Sequence, residues 1–354
     1  MSLRQFALCL VVVLSVVVAA GPATAQTSET DTHVVAADGG GEFRTISGAL
    51  AVADDGDTVE VRPGVYRERV TVSDTVTLVA PDGAVLDGGQ FTNSTAVNLG
   101  NSTDATIRGF TIRHYTVGIW ANGTAGDWTV TNVSVIGGTV GIEASNATGD
   151  WTVANTTVAA TTNDALYAAR SSGEWTITDS RFDAPGGDGI DATRTTGDWR
   201  VGDAVVTQAE TDGIDATGAT GDWAVTDSRI SDAERGLKAI RSDGDWRATT
   251  VTVRDSPVGI TAPQATGAWT ITDADVQGSG VAVFVGRTTG SWTIEGSRLG
   301  GGIRGVYAFG TRGPWTIRDT AVTTNDSPEA VGVDTREATG DWRTQNVSVR
   351  VAGS

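Results

Sequence analysis

The chain has 354 residues, 43 of them acidic and 25 basic, for a formal net charge of −18. Such a surplus of carboxylates excludes the basic stripe that neutralises phosphates, and with it nucleic acid as a partner. A single cysteine, Cys9, excludes a disulfide framework and a cysteine metal site.

The first 25 residues read as a secretory signal. Arg4 precedes an apolar run from Phe6 to Ala20, and Ala23-Thr24-Ala25 forms a small-residue cleavage site before Gln26. That run is too short for a good membrane span, so the mature chain is expected to be secreted or held at the cell surface, with no span of its own. Cys9 lies inside this leader and has no lipobox context. Residues 26–32 read as a short linker and 33–354 as one domain.

Within the domain, residues 33–57 read as an N-terminal cap. Phe43 to Ala53 has helical periodicity, with Thr45 as a cap and Asp54-Asp55-Gly56 as a stop. Residues 58–113 read as irregular first coils, with short strands at Val59-Glu60-Val61, Val70-Thr71-Val72 and Val76 to Val79. From 114 to 351 a tryptophan returns every 23 or 24 residues, at Trp128, Trp151, Trp175, Trp199, Trp223, Trp246, Trp269, Trp292 and Trp315, and after 27 more at Trp342. Ten of eleven tryptophans on one period mark a structural repeat. Two residues after each Trp stands a mostly Val or Ile column (Val130, Val153, Ile177). A second apolar column stands seven after (Val135, Val158, Phe182) and a third nine before (Ile119, Ile142, Leu166). Each repeat thus holds three short alternating stretches separated by Gly, Asp, Asn and Thr. Four after the Trp, an Asn/Asp column (Asn132, Asn155, Asp179, Asp203, Asp227) marks a repeated tight corner, interrupted by Thr250 and Gly296. The fold class is therefore all-β: a single-stranded right-handed parallel β-helix with three strands per coil, about 12–13 coils and an N-terminal capping helix. Alternation with the column two residues on points the tryptophans inward or folds them over a corner, as an offset stack, in preference to an exposed sugar platform.

This pattern, with its Gly-Ile-x-Ala step, resembles the parallel β-helices of the pectin-lyase-like superfamily over roughly residues 33 to 351. Asp38-Gly39-Gly40-Gly41 to Ile46 and Pro63-Gly64-Val65-Tyr66-Arg67-Glu68 resemble the opening segment of pectin methylesterases, whose helix covers the open end of the solenoid. No comparable cap appears at the C-terminal end, which is left for self-association, for blunting by charge or for fraying. The catalytic strand motifs of those esterases are missing; Ser94 to Leu99 and Thr106 to Ile112 stand in the corresponding region. Thr211-Asp212-Gly213-Ile214-Asp215 resembles a polygalacturonase motif, but the Gly-His-Gly and Arg-x-Lys partners are absent. Related repeat proteins accompany copper delivery to nitrous oxide reductase, yet His33 and His114, the two histidines, have no ligand spacing. The scarcity of lysine, with Lys238 alone among 25 basic residues, and the acidity resemble proteins of halophiles.

Chemistry is best sought in an outward column eight residues before each Trp: Trp120, Glu143, Tyr167, Asp191, Asp215, Lys238, Thr261, Phe284, Tyr307 and Asp334. Three residues earlier, Asp164, Asp188, Asp212 and Arg235 join it. Trp120, Glu143, Tyr167, Asp191, Asp215, Arg235, Lys238 and Tyr307 form the candidate carbohydrate-binding strip. Asp191 and Asp215, one coil apart, repel by about 0.9 kcal/mol in water, or about 3.5 kcal/mol at an effective dielectric of 20. A Ca²⁺ ion held by Asp188, Asp191, Asp212 and Asp215 would relieve that. Lys238, with its pKa lowered by Arg235 and Arg241, would then be the base of a Ca²⁺-dependent lyase. The competing reading is an exported structural or carbohydrate-binding module for an acidic polysaccharide or envelope glycan, since the coils carry no cleft-walling loops. Asn-x-Ser/Thr motifs at Asn93, Asn101, Asn122, Asn132, Asn146, Asn155, Asn325 and Asn346 permit N-glycans. Asn93, Asn101, Asn122 and Asn146 are the better acceptors, because Asn132, Asn155 and Asn346 fall in the corner column.

Overall fold

The computed structural model describes residues 30–352, apart from 74, 101 and 103. The expected secretory leader lies outside them, as does the motif at Asn101. Among the described residues, the only α-helix is α1 (Ile46–Leu50), and the strand pairings are parallel. Register-matched positions climb from Thr32 through Thr58, Thr77, Thr106 and Thr129 to Arg343. The result is a right-handed parallel β-helix of about 14 turns. Ten of these turns carry a tryptophan; Val76 and Ala105 hold the Trp position in two earlier ones, and the turns of Thr32–Val35 and Thr58–Val61 precede those.

Each regular turn has three strands. In Trp151–Ala154, buried and half-buried residues alternate, so the Trp and the Val two residues on both enter the core. The indoles from Trp128 to Trp315 are at most 3% exposed and stack in register, with ring centroids 4.6–5.1 Å apart and planes within 7°. This spacing is the distance between neighbouring strands, so the backbone imposes the stack. Two of the indole N–H groups find partners, Trp199 on Thr195 Oγ1 at 3.1 Å and Trp223 on Ser242 Oγ at 3.2 Å.

The corner column four residues after the Trp is left-handed throughout, with φ between 47° and 61° from Asn132 to Asn346, and Thr250 (φ 55°) and Gly296 (φ 61°) do not break it. Two further left-handed columns close the cross-section, one through Ala160, Ala184 and Gln208, the other through Arg170, Arg194 and Arg241. A β-branched residue is poorly suited to such a corner. Thr250→Asn is therefore expected to stabilise the protein by about 1 kcal/mol, read as a higher denaturant midpoint at unchanged slope; an unchanged midpoint would show that the corner is not strained.

The Gly of the Gly-Ile step is a packing requirement. A Cβ on Gly213 would lie 2.3 Å from Ile230 Cγ2 and 2.6 Å from the Gly236 carbonyl oxygen. On the outside, many of the aspartates just before each Trp do more than carry charge. Asp104, Asp127, Asp150, Asp198, Asp222 and Asp245 each accept the backbone N–H of the equivalent residue one turn on, at 2.7–3.1 Å.

The N-terminal end is covered by α1, which buries Ile46 and Ala49. Thr45 Oγ1 caps it by accepting from Gly48 N at 3.2 Å, and Glu68, one turn along, accepts from Ile46 N and Ser47 N at 3.0 and 2.9 Å. The helix is shorter than its periodicity implied: Ala51 caps it, Val52 is exposed, and only Ala53 packs back against the core beyond Leu50. The last described strands, Trp342–Gln345 and Ser348–Val351, are exposed throughout.

Candidate functional site

The column eight residues before each Trp is a continuous line on the third strand of each turn. Asn98, Trp120, Glu143, Tyr167, Asp191, Asp215, Lys238, Thr261, Phe284, Tyr307 and Asp334 follow one another in register. The stacking of Asp191 on Asp215 is thus present, with Arg235 beside Asp212 and Lys238 beside Asp215 on the next turn.

The charged groups are far less exposed than an outward column implies. Asp212, Asp215 and Glu143 are buried, and Asp164 and Asp188 nearly so. Asp188 Oδ1 accepts from Asp212 N at 2.9 Å and from the Thr211 hydroxyl, while Asp164 Oδ1 accepts from Asp188 N at 2.8 Å. Asp191 and Asp215 each accept the backbone N–H two residues on, at 2.8 Å. Glu143 accepts from the Ser145 hydroxyl. Arg235 Nε donates to Asp212 Oδ1 at 2.5 Å, and Lys238 Nζ bridges Asp212 Oδ2 at 2.9 Å and Asp215 Oδ2 at 2.8 Å.

These contacts reverse the role expected of Lys238. Burial alone would lower its pKa, but the hydrogen bonds and charges of Asp215 and Asp212 outweigh it and the pKa rises. Arg241 is turned onto Gln264, and Arg235 shares the Asp212 carboxylate with Lys238, so an anion stands between the two cations. Lys238 is a held cation, not a poised base. The shifted acids are instead those that form no ion pair among the described residues. Burial, reinforced by acidic neighbours, pushes Asp188 up to about 7 and Asp164 up to about 6, and burial raises Asp191.

A folded-state pKa above the unfolded value of 3.8 means that the folded protein binds the proton more tightly. The contribution of Asp164 and Asp188 is complete below the unfolded pKa and is lost as pH rises through about 6 and about 7. Stability is expected to fall over that window, and Asp188→Asn to flatten the fall. Urea midpoints at about pH 5 and about pH 8 measure it; an equal drop in the variant would place the titration elsewhere.

Asp188, Asp212 and Asp215 each present an oxygen within 4.8 Å of the others, a group that could hold a metal ion. Asp191, expected as a fourth ligand, stands outside it. An all-oxygen set suits a hard cation, and copper calls for imidazole or sulfur. His33 is engaged with Asp57 at 3.1 Å and His114 with Asp87 at 2.8 Å, on separate turns. Among the described residues, the donors present therefore do not fit copper.

Aromatic rings continue the strip at both ends. Trp120 is 36% exposed. Phe284 and Tyr307 stack at 5.2 Å, with the Arg304 guanidinium 4.6 Å over the Tyr307 ring. Arg304 and Arg336 both pair with buried Asp334, at 3.3 and 2.7 Å, a cluster that the sequence reading did not single out because Arg336 lies outside both columns. A shallow groove of about 1030 Å³ runs along a different face, over the Trp strands from Asp198 to Arg343. Its Asp198, Asp222 and Asp245 are committed to backbone N–H groups, so the strip remains the candidate site.

Residues 54–201 match the family model described as periplasmic copper-binding protein (NosD). No curated relative matches the sequence. Among solved structures, the catalytic domain of a GH87 α-1,3-glucanase in complex with tetrasaccharides superposes with a TM-score of 0.59 at 11% identity, covering 94% of this chain and 68% of that one. The catalytic domain of Agl-KA gives 0.56 at 13% identity, covering 86% and 64%. The chain has the pectin-lyase-like fold. It spans just under two thirds of the Agl-KA domain, and at these identities the likeness is one of fold.

Proposed function

We propose that this β-helix is an exported polysaccharide-binding protein that holds a glycan chain along the strip from Trp120 to Asp334. The observation that carries the reading is the register: aromatic, acidic and hydroxyl groups recur along one straight line, matched to a linear polymer of repeating sugars. The NosD family description is periplasmic, and the leader at residues 1–25 supports export.

Charge decides the class of glycan. The strip's cations Arg235, Lys238 and Arg304 are all paired with aspartates, while Asp164, Asp188 and Asp191 form no ion pair among the described residues. A neutral polysaccharide fits this surface better than the acidic one expected from sequence. Its hydroxyls would donate to the free carboxylate oxygens, and its ring faces would pack on Trp120, Tyr167 and Tyr307. The solved structures of similar fold include α-1,3-glucanases, which act on a neutral glucan.

A second reading rests on Asp188. A carboxyl with a pKa of about 7 beside the carboxylates of Asp212 and Asp215 is an acid–base arrangement of the kind used for glycoside hydrolysis. Affinity electrophoresis of the mature protein in neutral and acidic polysaccharides, with and without Ca²⁺, separates the readings. Retardation by a neutral glucan is expected, weakened up to about tenfold by Tyr167→Ala or Tyr307→Ala, without new reducing ends. Reducing ends lost in Asp188→Asn would establish hydrolysis instead, and absorbance from unsaturated uronates would restore the lyase. No retardation by any polysaccharide would overturn the binding reading.

A further inference from the structure

We propose that the exported chain is N-glycosylated at Asn93, Asn132, Asn146 and Asn155, and that the charged part of the strip, from Asp164 to Lys238, is left bare. The chain has ten asparagines, and eight of them begin an Asn-x-Ser/Thr motif. Ser and Thr make up 75 of 354 residues, so chance would place about two there. The excess calls for a cause.

Corner geometry does not supply it. Asn132-Val133-Ser134 and Asn155-Thr156-Thr157 occupy a corner that Asp179, Asp203, Asp227 and Asp273 fill equally well on later turns, with the same left-handed φ near 50°. Asn and Asp both accept that conformation, yet it is Asn, with a hydroxyl residue two positions on, that stands on the early turns. Six motifs fall between 93 and 155 and two at 325 and 346, with none across the charged strip. The two asparagines outside the motif are both on the strip side: Asn98 is in register with Trp120, and Asn163 donates to Asp164 at 3.1 Å.

The fold then chooses among the motifs. Asn93, Asn132, Asn146 and Asn155 are exposed turn residues. The carboxamides of Asn93, Asn132 and Asn155 make no hydrogen bond among the described residues, and Asn146 has only a long contact of 3.4 Å with Ser145 Oγ. Asn122 is half-buried and donates to the Ser145 hydroxyl, and Asn346 donates to Asp319 at 2.8 Å. Asn325 accepts from Ser327 N at 3.2 Å and is followed by Pro328. The corner asparagines set aside by the sequence reading are thus open, and Asn122 is occupied.

The reaction transfers an oligosaccharide from a lipid-phosphate carrier. The bond from sugar C1 to the carrier's phosphate oxygen breaks, a bond from C1 to Asn Nδ2 forms, the lipid phosphate leaves, and the amide nitrogen gives up one proton. The inference rests on export but not on polysaccharide binding.

Intact-mass and glycopeptide mass spectrometry of the protein secreted by the cells that produce it provide the test. The polypeptide start at Gln26 reports export independently of any glycan. Added mass in whole sugar units is expected, with glycopeptides at the four sites. Ser134→Ala and Thr157→Ala, which erase two motifs without touching the corner residue, should each remove one. Leader-cleaved protein at bare polypeptide mass would overturn the proposal, and glycans on Asn122 in place of the four would overturn the structural selection.

Discussion

Replacing Trp223 with alanine is expected to lower the unfolding free energy by about 3–5 kcal/mol, the cost of truncating a large aromatic in a packed core. Trp223 is 3% exposed and lies 4.8 Å from the Trp199 ring and 4.7 Å from the Trp246 ring. Its removal opens a gap between two indoles that the strand spacing keeps from closing, and it leaves Ser242 without the indole donor. Trp342 is the contrast. It is 47% exposed and has one stacking partner, Trp315, at 5.2 Å, so Trp342→Ala should cost about 1 kcal/mol or less. Urea or guanidinium melts of the two variants measure the difference. Similar midpoints for both would mean that the stack is not part of the stabilising core.

Lys238→Met is expected to cost about 3–5 kcal/mol near neutral pH, because it leaves Asp215 buried without its cation and Asp212 with Arg235 alone. The Asp212 and Asp215 side chains are 2% and 7% exposed, and Lys238 Nζ reaches both. Ca²⁺ in the millimolar range should recover part of the loss, since oxygens of Asp188, Asp212 and Asp215 already lie within 4.8 Å of one another. Denaturant midpoints near neutral pH, with and without Ca²⁺, test this. A loss of about 1 kcal/mol or less would make it a packing effect of the Lys238 stem, and indifference to Ca²⁺ would show that the triad does not gather a cation.

The parts of this molecule legible in its sequence are those that repeat. A period of 23 or 24 residues compels equivalent side chains into register, so the inward tryptophans, the apolar columns and the Asn/Asp corner could be aligned by counting. The same counting located the strip and the neighbours Asp191–Asp215 and Asp212–Arg235. What it missed are features that no residue type announces. Alanine and arginine fill the other left-handed corners at Ala160, Ala184, Arg170 and Arg194 because stacking forces the backbone there. Glu68 caps α1 from the following turn, and the acids beside the tryptophans accept backbone N–H groups one turn on, although composition alone made them solvated charge.

By itself, then, the sequence determined the helix, its strand count per turn, its inward spine and the line on which charged and aromatic groups gather, because a stacked repeat leaves each column one place to stand. Only the tertiary structure decided what that line does electrostatically. Lys238 looked like a base depressed by two arginines, but it has become the ammonium shared by Asp212 and Asp215, and the groups left to titrate near neutrality are Asp164 and Asp188. Register fixes which residues are neighbours. Which charge turns toward which partner, and how much water each keeps, depends on side-chain reach and burial, and those exist only once the coils are stacked.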